Sequence, residues 1–495
     1  IYLIPRLQRN GVHTTHGHDI NSATRKSRKV KPKTPKKKST SRSSDPRCNI
    51  PRVPKQQAKM ESLIIAAIVI GSWWLLHILF DSPVFLVAPP FFIVWARLKA
   101  IFGCMKSTAS DEDDELKSYK MPGASARFLF MRLCITLFCA PIWDLFWLLD
   151  EILYGRKYRK VSLDDSVFLV GGFRTGTTSL HRAIAMDEER FTSPRFIEVV
   201  FPFLTIQYLF DWIERRDEKN GTTKIRNIEK KLQDIIGADT MARHPMEWYA
   251  AEEDDLILAS YHYLGWYTMT LFPDPEVAVI AGEHSKHGKR VLNRSYIFYK
   301  RTLQKFMYRR GEGKALLSKN HMIDFMPKLA AEHPDAKFVD IVRHPKDAFT
   351  SWYGLSQAGL SVMARKPVDQ DVQVKAHLRF WDKFTESEMK FFVKGYSMDQ
   401  DQERQALLAY ENRTLVTFTD YVKDQEATVR KLYAQWGYDV EGTKFEERLI
   451  EDREQHKQYK SKAGYKNPTL EELGLAESMF SLRYAKYIST CKIVN

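Results

Sequence analysis

SVFLVGGFRTGTTSLHR, residues 166–182, is the stretch whose reading decides the fold. Val167 to Val170 is a short apolar run closed by Gly171 and Gly172, the pattern of a strand buried on both faces. Thr177, Thr178 and Ser179 then lead into Leu180, Ala183, Ile184 and Met186, whose spacing suits a helix. A strand, a glycine turn and a helix N-terminus in succession make an anion site, because backbone N–H groups and the helix dipole face the ligand together.

Working outward, residues 315–318, 338–342 and 415–418 read as further buried strands. Helical patterns lie between them at 321–333, 346–357, 371–393 and 423–436. Strands alternating with helices predict an α/β fold with a mostly parallel sheet flanked by helices, of the P-loop nucleotide-binding type. The spacing Gly171-x-x-x-x-Gly176-Thr177-Thr178 nearly matches a triphosphate loop, but Thr177 stands where the phosphate-reading lysine belongs. That argues against a nucleotide kinase or NTPase, which is kept as the rival reading. A membrane-tethered nucleotide-binding protein without catalysis is the second rival.

The net charge of +15 invites a nucleic-acid partner, so its location matters. Residues 1–60 hold 16 Lys or Arg against Asp19 and Asp45, or 16 − 2 = +14, and the rest carries +1. The basic character belongs to a tail too poor in apolar residues to fold alone, and no nucleic-acid partner is expected. The chain does not begin with Met, and Met60 is a plausible start that would delete the tail. Residues 61–104 are expected to be a membrane anchor region, because 63–80 is an uncharged apolar run when His77 is neutral. Residues 83–94 are a second apolar run, interrupted by Pro89-Pro90. Residues 105–123 suit a linker. Residues 124–160 are apolar but broken by Arg132, Pro141, Asp144, Asp150 and Glu151, which predicts helices on a membrane surface or packed against the catalytic domain. That domain is placed at 161–495. Of five cysteines only Cys491 falls within it, so no disulfide forms there, and no CxxC or Cys/His cluster implies a metal. Nothing in the sequence fixes an oligomeric state.

FRTGTTSLHR resembles the 5′-phosphosulfate loop of sulfotransferases that use 3′-phosphoadenosine 5′-phosphosulfate (PAPS), where a basic residue, a small residue, Gly, Thr and Thr follow one another. KFVDIVRHPKDAFTSWY, residues 337–353, resembles the same family's 3′-phosphate segment, with Arg343 and Ser351 on the Arg and Ser positions. The resemblance covers roughly residues 148–475 and implies PAPS as co-substrate and a hydroxyl-bearing acceptor. By it, Gly172, Phe173, Arg174, Thr175, Gly176, Thr177 and Thr178 bind the 5′-phosphate, and Arg343 and Ser351 the 3′-phosphate. Arg174 holds the position of a catalytic lysine in many relatives. Always protonated, it neutralises charge developing on the leaving phosphate. Glu198, in PRFIEVVFP, is the expected base, with His244, Glu252 and His321 as alternatives. Glu252 to Asp255 also reads as an ordinary charged helix start. Residues 456–469 are a basic segment that could close over the nucleotide through Lys460 or Lys462. The basic flank ahead of residues 63–80 predicts a Golgi enzyme with its catalytic domain in the lumen, where Asn220, Asn293 and Asn412 would be glycosylation acceptors.

Overall fold

A computed structural model describes residues 55–80, 86–87, 89, 93–95, 98, 123–265, 288–364, 370–393, 412–459 and 466–493. The chain divides into two units, residues 1–62 and 63–495. In chain order the elements used below are α1 (Lys55–Phe80), α2 (Gly123–Tyr158), β1 (Val167–Val170), α3 (Thr177–Ala185) and β2 (Phe191–Thr192). Next come α4 (Phe196–Val200), α5 (Leu204–Asn220), α6 (Lys224–Ile236), α7 (Ala238–Arg243), α8 (Gly288–Arg310) and β3 (Ala315–Asn320). The last are α9 (Met326–Glu332), β4 (Lys337–Val342), α10 (Pro345–Ala364), α11 (Gln370–Phe392), β5 (Arg413–Thr417), α12 (Phe418–Lys423) and, at the C-terminal end, α13 (Ala485–Thr490).

All five strands run parallel, in the order β2-β3-β1-β4-β5. A parallel sheet needs a crossover between successive strands, and the helices supply it. β1 lies at the centre, with Val167 opposite Leu317 of β3 on one side and Lys337 of β4 on the other. The chain leaves β1 toward β2 and β3, then crosses to β4 and β5 beyond it. The C-terminal end of β1 is therefore a topological switch point, where a crevice opens between diverging connections. The loop after β1 and the residues ending β3 and β4 all arrive there.

The four strands expected from sequence are present. β3 runs on to Asn320 through Ser318 and Lys319, polar residues that are nevertheless buried. β2, only two residues long, gave no apolar run to notice.

Parts of the apolar segments ahead of the domain join its core. α2 is one continuous helix of 36 residues, running through Pro141. Leu133, Thr136, Ala140, Asp144, Trp147 and Asp150, at helical spacing, form its buried stripe. Asp144 and Asp150, two of the carboxylates that broke the apolar pattern, thus face inward. Asp150 accepts from the Leu204 and Thr205 backbone N–H groups at 2.7 and 2.9 Å and from Lys305 Nζ at 2.9 Å, so it caps α5.

Among the described residues no helix is long and apolar enough to cross a membrane, and much of the region expected as an anchor, 61–104, lies outside them. The Trp74 indole N–H of α1 donates to the Leu137 carbonyl of α2 at 3.1 Å, and its ring lies against the main core. Part of the second apolar run, Leu86, Val87, Ile93 and Val94, is buried in that same core. Asp144 Oδ1 accepts from the Val87 backbone N–H at 3.2 Å. The second run packs against protein, whereas α1 meets the core through Trp74 and leaves Leu63, Ile64, Ile65, Ile68 and Val69 exposed. Of the expected glycosylation acceptors, Asn220 and Asn293 are exposed, whereas Asn412 donates its amide to the Pro334 carbonyl at 2.8 Å.

Candidate active site

The loop from Gly171 to Gly176 joins β1 to α3. Arg174 adopts φ 62° and Gly176 φ 104°, two left-handed residues in one tight turn. Glycine takes that conformation without cost, whereas a held arginine is strained, and such strain gathers at functional sites. A Cβ on Gly176 would stand 3.0 Å from the Phe418 ring, so the turn also needs glycine for space. Thr175, fully buried, donates its hydroxyl to the Gly172 carbonyl at 2.8 Å and locks the turn. Gly176 O accepts from Ser179 N and Leu180 N, at 3.0 and 3.2 Å. The N–H groups of Thr177 and Thr178 open the helix and point past its end, as helix geometry requires. Phe173 is a core residue, its ring centroid 4.6 Å from that of His321 and 4.9 Å from that of Trp352.

Two distant segments close on this loop from the β4 side. Arg174 Nε donates to Ser351 Oγ at 3.0 Å across 177 residues of sequence. Arg343 Nη1 donates to the Arg174 carbonyl at 2.9 Å, and its guanidinium lies over the Phe418 ring at 4.4 Å. Pro345 opens α10, a position where its missing N–H costs nothing, and the first turns of that helix carry Ser351 to the loop. Arg243, ending α7, was not anticipated. Its carbonyl accepts from Arg174 Nη1 at 3.1 Å, while its own Nη1 donates to Asn467 Oδ1 at 3.1 Å. Lys460 and Lys462 lie outside the described residues. Lys466 and Asn467, a few residues on, do reach this side of the site through Arg243.

The β3 side is built of carboxylates and their partners. Lys319 donates to Thr178 Oγ1 at 2.8 Å and to Glu253, tying the phosphate loop to the 252–255 segment. His321 Nδ1 lies 2.6 Å from the Gly171 carbonyl, which can only accept, so Nδ1 carries hydrogen. Nε2, 3.3 Å from Glu253 Oε2, is the ring atom left for proton exchange. His244 Nε2 lies 3.0 Å from Glu252 Oε1. Burial would raise the Glu253 carboxyl, but the charge of Lys319 beside it leads the neighbours that hold it well below the usual range. Burial pushes Asp254 up to about 7 against hydrogen bonds from Ser318 and Tyr299, and Asp255 likewise to about 7. The acidic run is therefore no exposed helix start, since all four of its carboxyl groups are buried.

His244, Glu252 and His321, separate alternatives in the sequence, thus belong to one cluster beside Thr178. Glu198, the base expected from sequence, does not join it. Its Oε1 accepts from Arg309 Nη1 at 2.6 Å and Arg310 Nε at 2.7 Å, and Oε2 from Arg310 Nη2 and the Arg195 backbone N–H. Burial raises this carboxyl, but the charge and hydrogen bonds of Arg310, the Arg195 N–H and the charge of Arg309 carry it below the usual range. A carboxylate so filled has no lone pair to spare for an acceptor's proton. His244, Glu252 and Glu253 offer ligand atoms within 4.8 Å of one another, yet the Lys319 ammonium already neutralises Glu253 there.

A switch-point phosphate loop with arginines on one side and a buried histidine–carboxylate cluster on the other suits transfer of an anionic group from a nucleotide. The family model described as "Sulfotransferase family" matches residues 166–442, more than half of the chain, and the chain belongs to that family. It is an enzyme that transfers a sulfuryl group to a hydroxyl acceptor. It is similar to the omega-hydroxy-beta-dihydromenaquinone-9 sulfotransferases Stf3 of Mycobacterium bovis and Mycobacterium tuberculosis. The match to each is 26% identical over 312 residues, covering 60% of this chain and 68% of the relative. Its fold is similar to sulfotransferase STF1 from Mycobacterium tuberculosis, with TM-score 0.54 and 16% identity over 79% of this chain and 92% of that one. Sulfotransferase STF9 from Mycobacterium avium compares at TM-score 0.53 and 14% identity, over 82% and 97%.

Proposed function

We propose that the sulfuryl donor is PAPS and that the acceptor is a hydroxyl group on a lipid. The observation that carries the donor assignment is the meeting of Arg174, Ser351 and Arg343 at the glycine turn, two hydrogen bonds joining segments about 170 residues apart. The residues fit such a donor. Gly176 leaves a cradle that a Cβ would fill, α3 presents its N-terminus, and Arg174, Arg243, Arg343 and Lys319 surround the loop.

Bound there, the donor would supply the sulfuryl group. Thr177 and Thr178 would hold its 5′-phosphate through backbone N–H groups, and Arg343 and Ser351 its 3′-phosphate. Arg174 would stabilise the charge that grows on the leaving phosphate, a task suited to a fixed cation in a buried site. His321 would take the acceptor's proton on Nε2, its ring held by the Gly171 carbonyl and its positive charge then met by Glu253. Keeping Nδ1 bound to the loop places the base in register with the donor.

Support for a lipid comes from two directions. The mycobacterial relatives are named for a menaquinone-derived lipid substrate. Met131, Phe138, Ile142, Leu145 and Ile152 form an exposed apolar stripe along α2, opposite its buried one, suited to lying at a membrane surface. The test is transfer from sulfate-labelled PAPS to a terminally hydroxylated isoprenoid in detergent micelles, with sugars and tyrosine peptides as competitors. Label in the lipid is expected. Label only in the soluble competitors would overturn the lipid, and magnesium-dependent binding of ATP tighter than that of 3′-phosphoadenosine 5′-phosphate would overturn the donor.

A further inference from the structure

Two carboxyl groups meet against the phosphate loop. Asp340 lies within β4 and Glu388 on α11, 0% and 1% exposed. A Cβ on Gly171 would stand 2.7 Å from Asp340 Oδ1, so this carboxyl fills the space the glycine leaves. Glu388 faces Asp340, the Tyr487 hydroxyl of α13 and the Gly172 backbone, and the Cys491 thiol lies beside both carboxyls. Among the described residues no arginine, lysine or histidine faces either group. The Tyr487 hydroxyl and the Gly172 backbone beside Glu388 and the Ile341 backbone beside Asp340 stand outside close hydrogen-bond geometry to the four oxygens, and their pull downward is smaller than the push of burial. Two bare carboxylates in contact, buried and without a cation, would carry a prohibitive desolvation and repulsion cost. The oxygens can satisfy one another only by keeping protons, each acid donating to its neighbour.

We propose that Asp340 and Glu388 form a proton-holding carboxyl pair that braces Gly171 and Gly172, acting as positioning residues for the donor's 5′-phosphate. The pair rests on the assignment of this loop to that phosphate. Burial pushes Glu388 up to about 7 and Asp340 well above the usual range, aided by the neighbouring carboxyl. A carboxyl whose folded pKa is raised contributes fully below its unfolded value of about 4, and that contribution is lost as pH rises through the folded value. Raising pH therefore puts charge beneath the loop and loosens it.

The test compares wild type, Glu388→Gln and Asp340→Asn, whose amides mimic the protonated acids. Affinity for 3′-phosphoadenosine 5′-phosphate by calorimetry and the thermal midpoint are followed from about pH 6 to about pH 9. Asp254 and Asp255 also titrate near neutrality, so the decisive reading is the difference between variant and wild type. Wild-type affinity is expected to fall about tenfold more over this range than that of Glu388→Gln, the equivalent of one pKa unit. The variant should also hold its thermal midpoint better at high pH. Profiles that superimpose would overturn the brace. Should Glu388→Gln fail to fold, Asp340→Asn gives the same reading. A wild type that binds no bisphosphate at any pH would instead sink the donor assignment, and the thermal midpoints would then judge the brace alone.

Discussion

The two sides of the phosphate loop are built from opposite materials. On the β4 side, Arg343 and Ser351 arrive through one strand, one proline and the first turns of α10, and they bond directly to Arg174. On the β3 side, Lys319 and His321 meet Glu252, Glu253, Asp254 and Asp255, which come from a different segment, with His244 from beyond α7. The first side is cationic and suits the fixed anionic end of a nucleotide. The second is carboxylate-rich and buried, which suits handling a proton on a neutral hydroxyl. The difference teaches that the donor face is a local motif, whereas the acceptor face is a tertiary assembly.

The comparison breaks most readily at His321. His321→Ala should lower kcat by about 10²–10⁴, the range for loss of a positioned general base, while binding of 3′-phosphoadenosine 5′-phosphate survives. Turnover within a few-fold of wild type would move the base to His244 or Glu252. Arg174→Ala should lower kcat by about 10²–10³, as loss of one charge-stabilising donor does elsewhere, with a smaller effect on nucleotide affinity. If affinity falls as much as kcat, Arg174 grips the ground state and the division of labour fails. Ser351→Ala sharpens the β4 side, with an expected loss of about tenfold in donor affinity for one charge-assisted hydrogen bond and kcat nearly constant. An effect on kcat alone would place Ser351 among the groups that act on the transition state.

The same contrast explains what could be read from sequence. Strand, glycine turn and helix lie within 17 consecutive residues, and Arg343 and Ser351 within another 17, so both phosphate motifs stood complete in the chain. The parallel sheet was legible because β1 is uniformly apolar and its neighbours hold short apolar runs, Ala315 to Leu317 in β3 and Phe338 to Val342 around Asp340 in β4. The acceptor side was not, since a buried carboxylate and an exposed one read alike until their partners are known. Lys319 carried a signal, being a lysine inside a strand that precedes His321. The helical pattern at 321–333 is met by a 3-10 turn at Ile323–Phe325 and by α9, whereas the strand's polar end, Lys319 and Asn320, lies beyond the apolar run at 315–318. Glu198 shows the reverse. Its apolar neighbours were visible, but the arginines that neutralise it, Arg309 and Arg310, sit more than a hundred residues on.

Glu198 gives the smallest expected catalytic effect and the clearest structural one. Glu198→Gln would place an amide N–H₂ against two guanidinium groups and remove the carboxylate that meets Arg310 and that shares Arg309 with Asp211, at 2.6–2.7 Å. Breaking a buried pair in this way typically costs about 3–5 kcal/mol, because the remaining charge is left unpaired in a low dielectric. The capping bond from Glu198 to the Arg195 N–H would weaken with it, loosening the start of α4. The thermal midpoint should fall by many degrees, while the protein that stays folded at low temperature should keep kcat within a few-fold. The pH profile separates this from a catalytic role. Held below the usual range in the folded state, Glu198 stabilises the fold above the unfolded carboxylate value of about 4 and loses that contribution as pH falls through its lower folded value. The variant should therefore differ most from wild type in thermal midpoint near neutral pH and converge with it in acid. A stable Glu198→Gln protein without turnover would return the base to Glu198 and extend the acceptor face as far as α4.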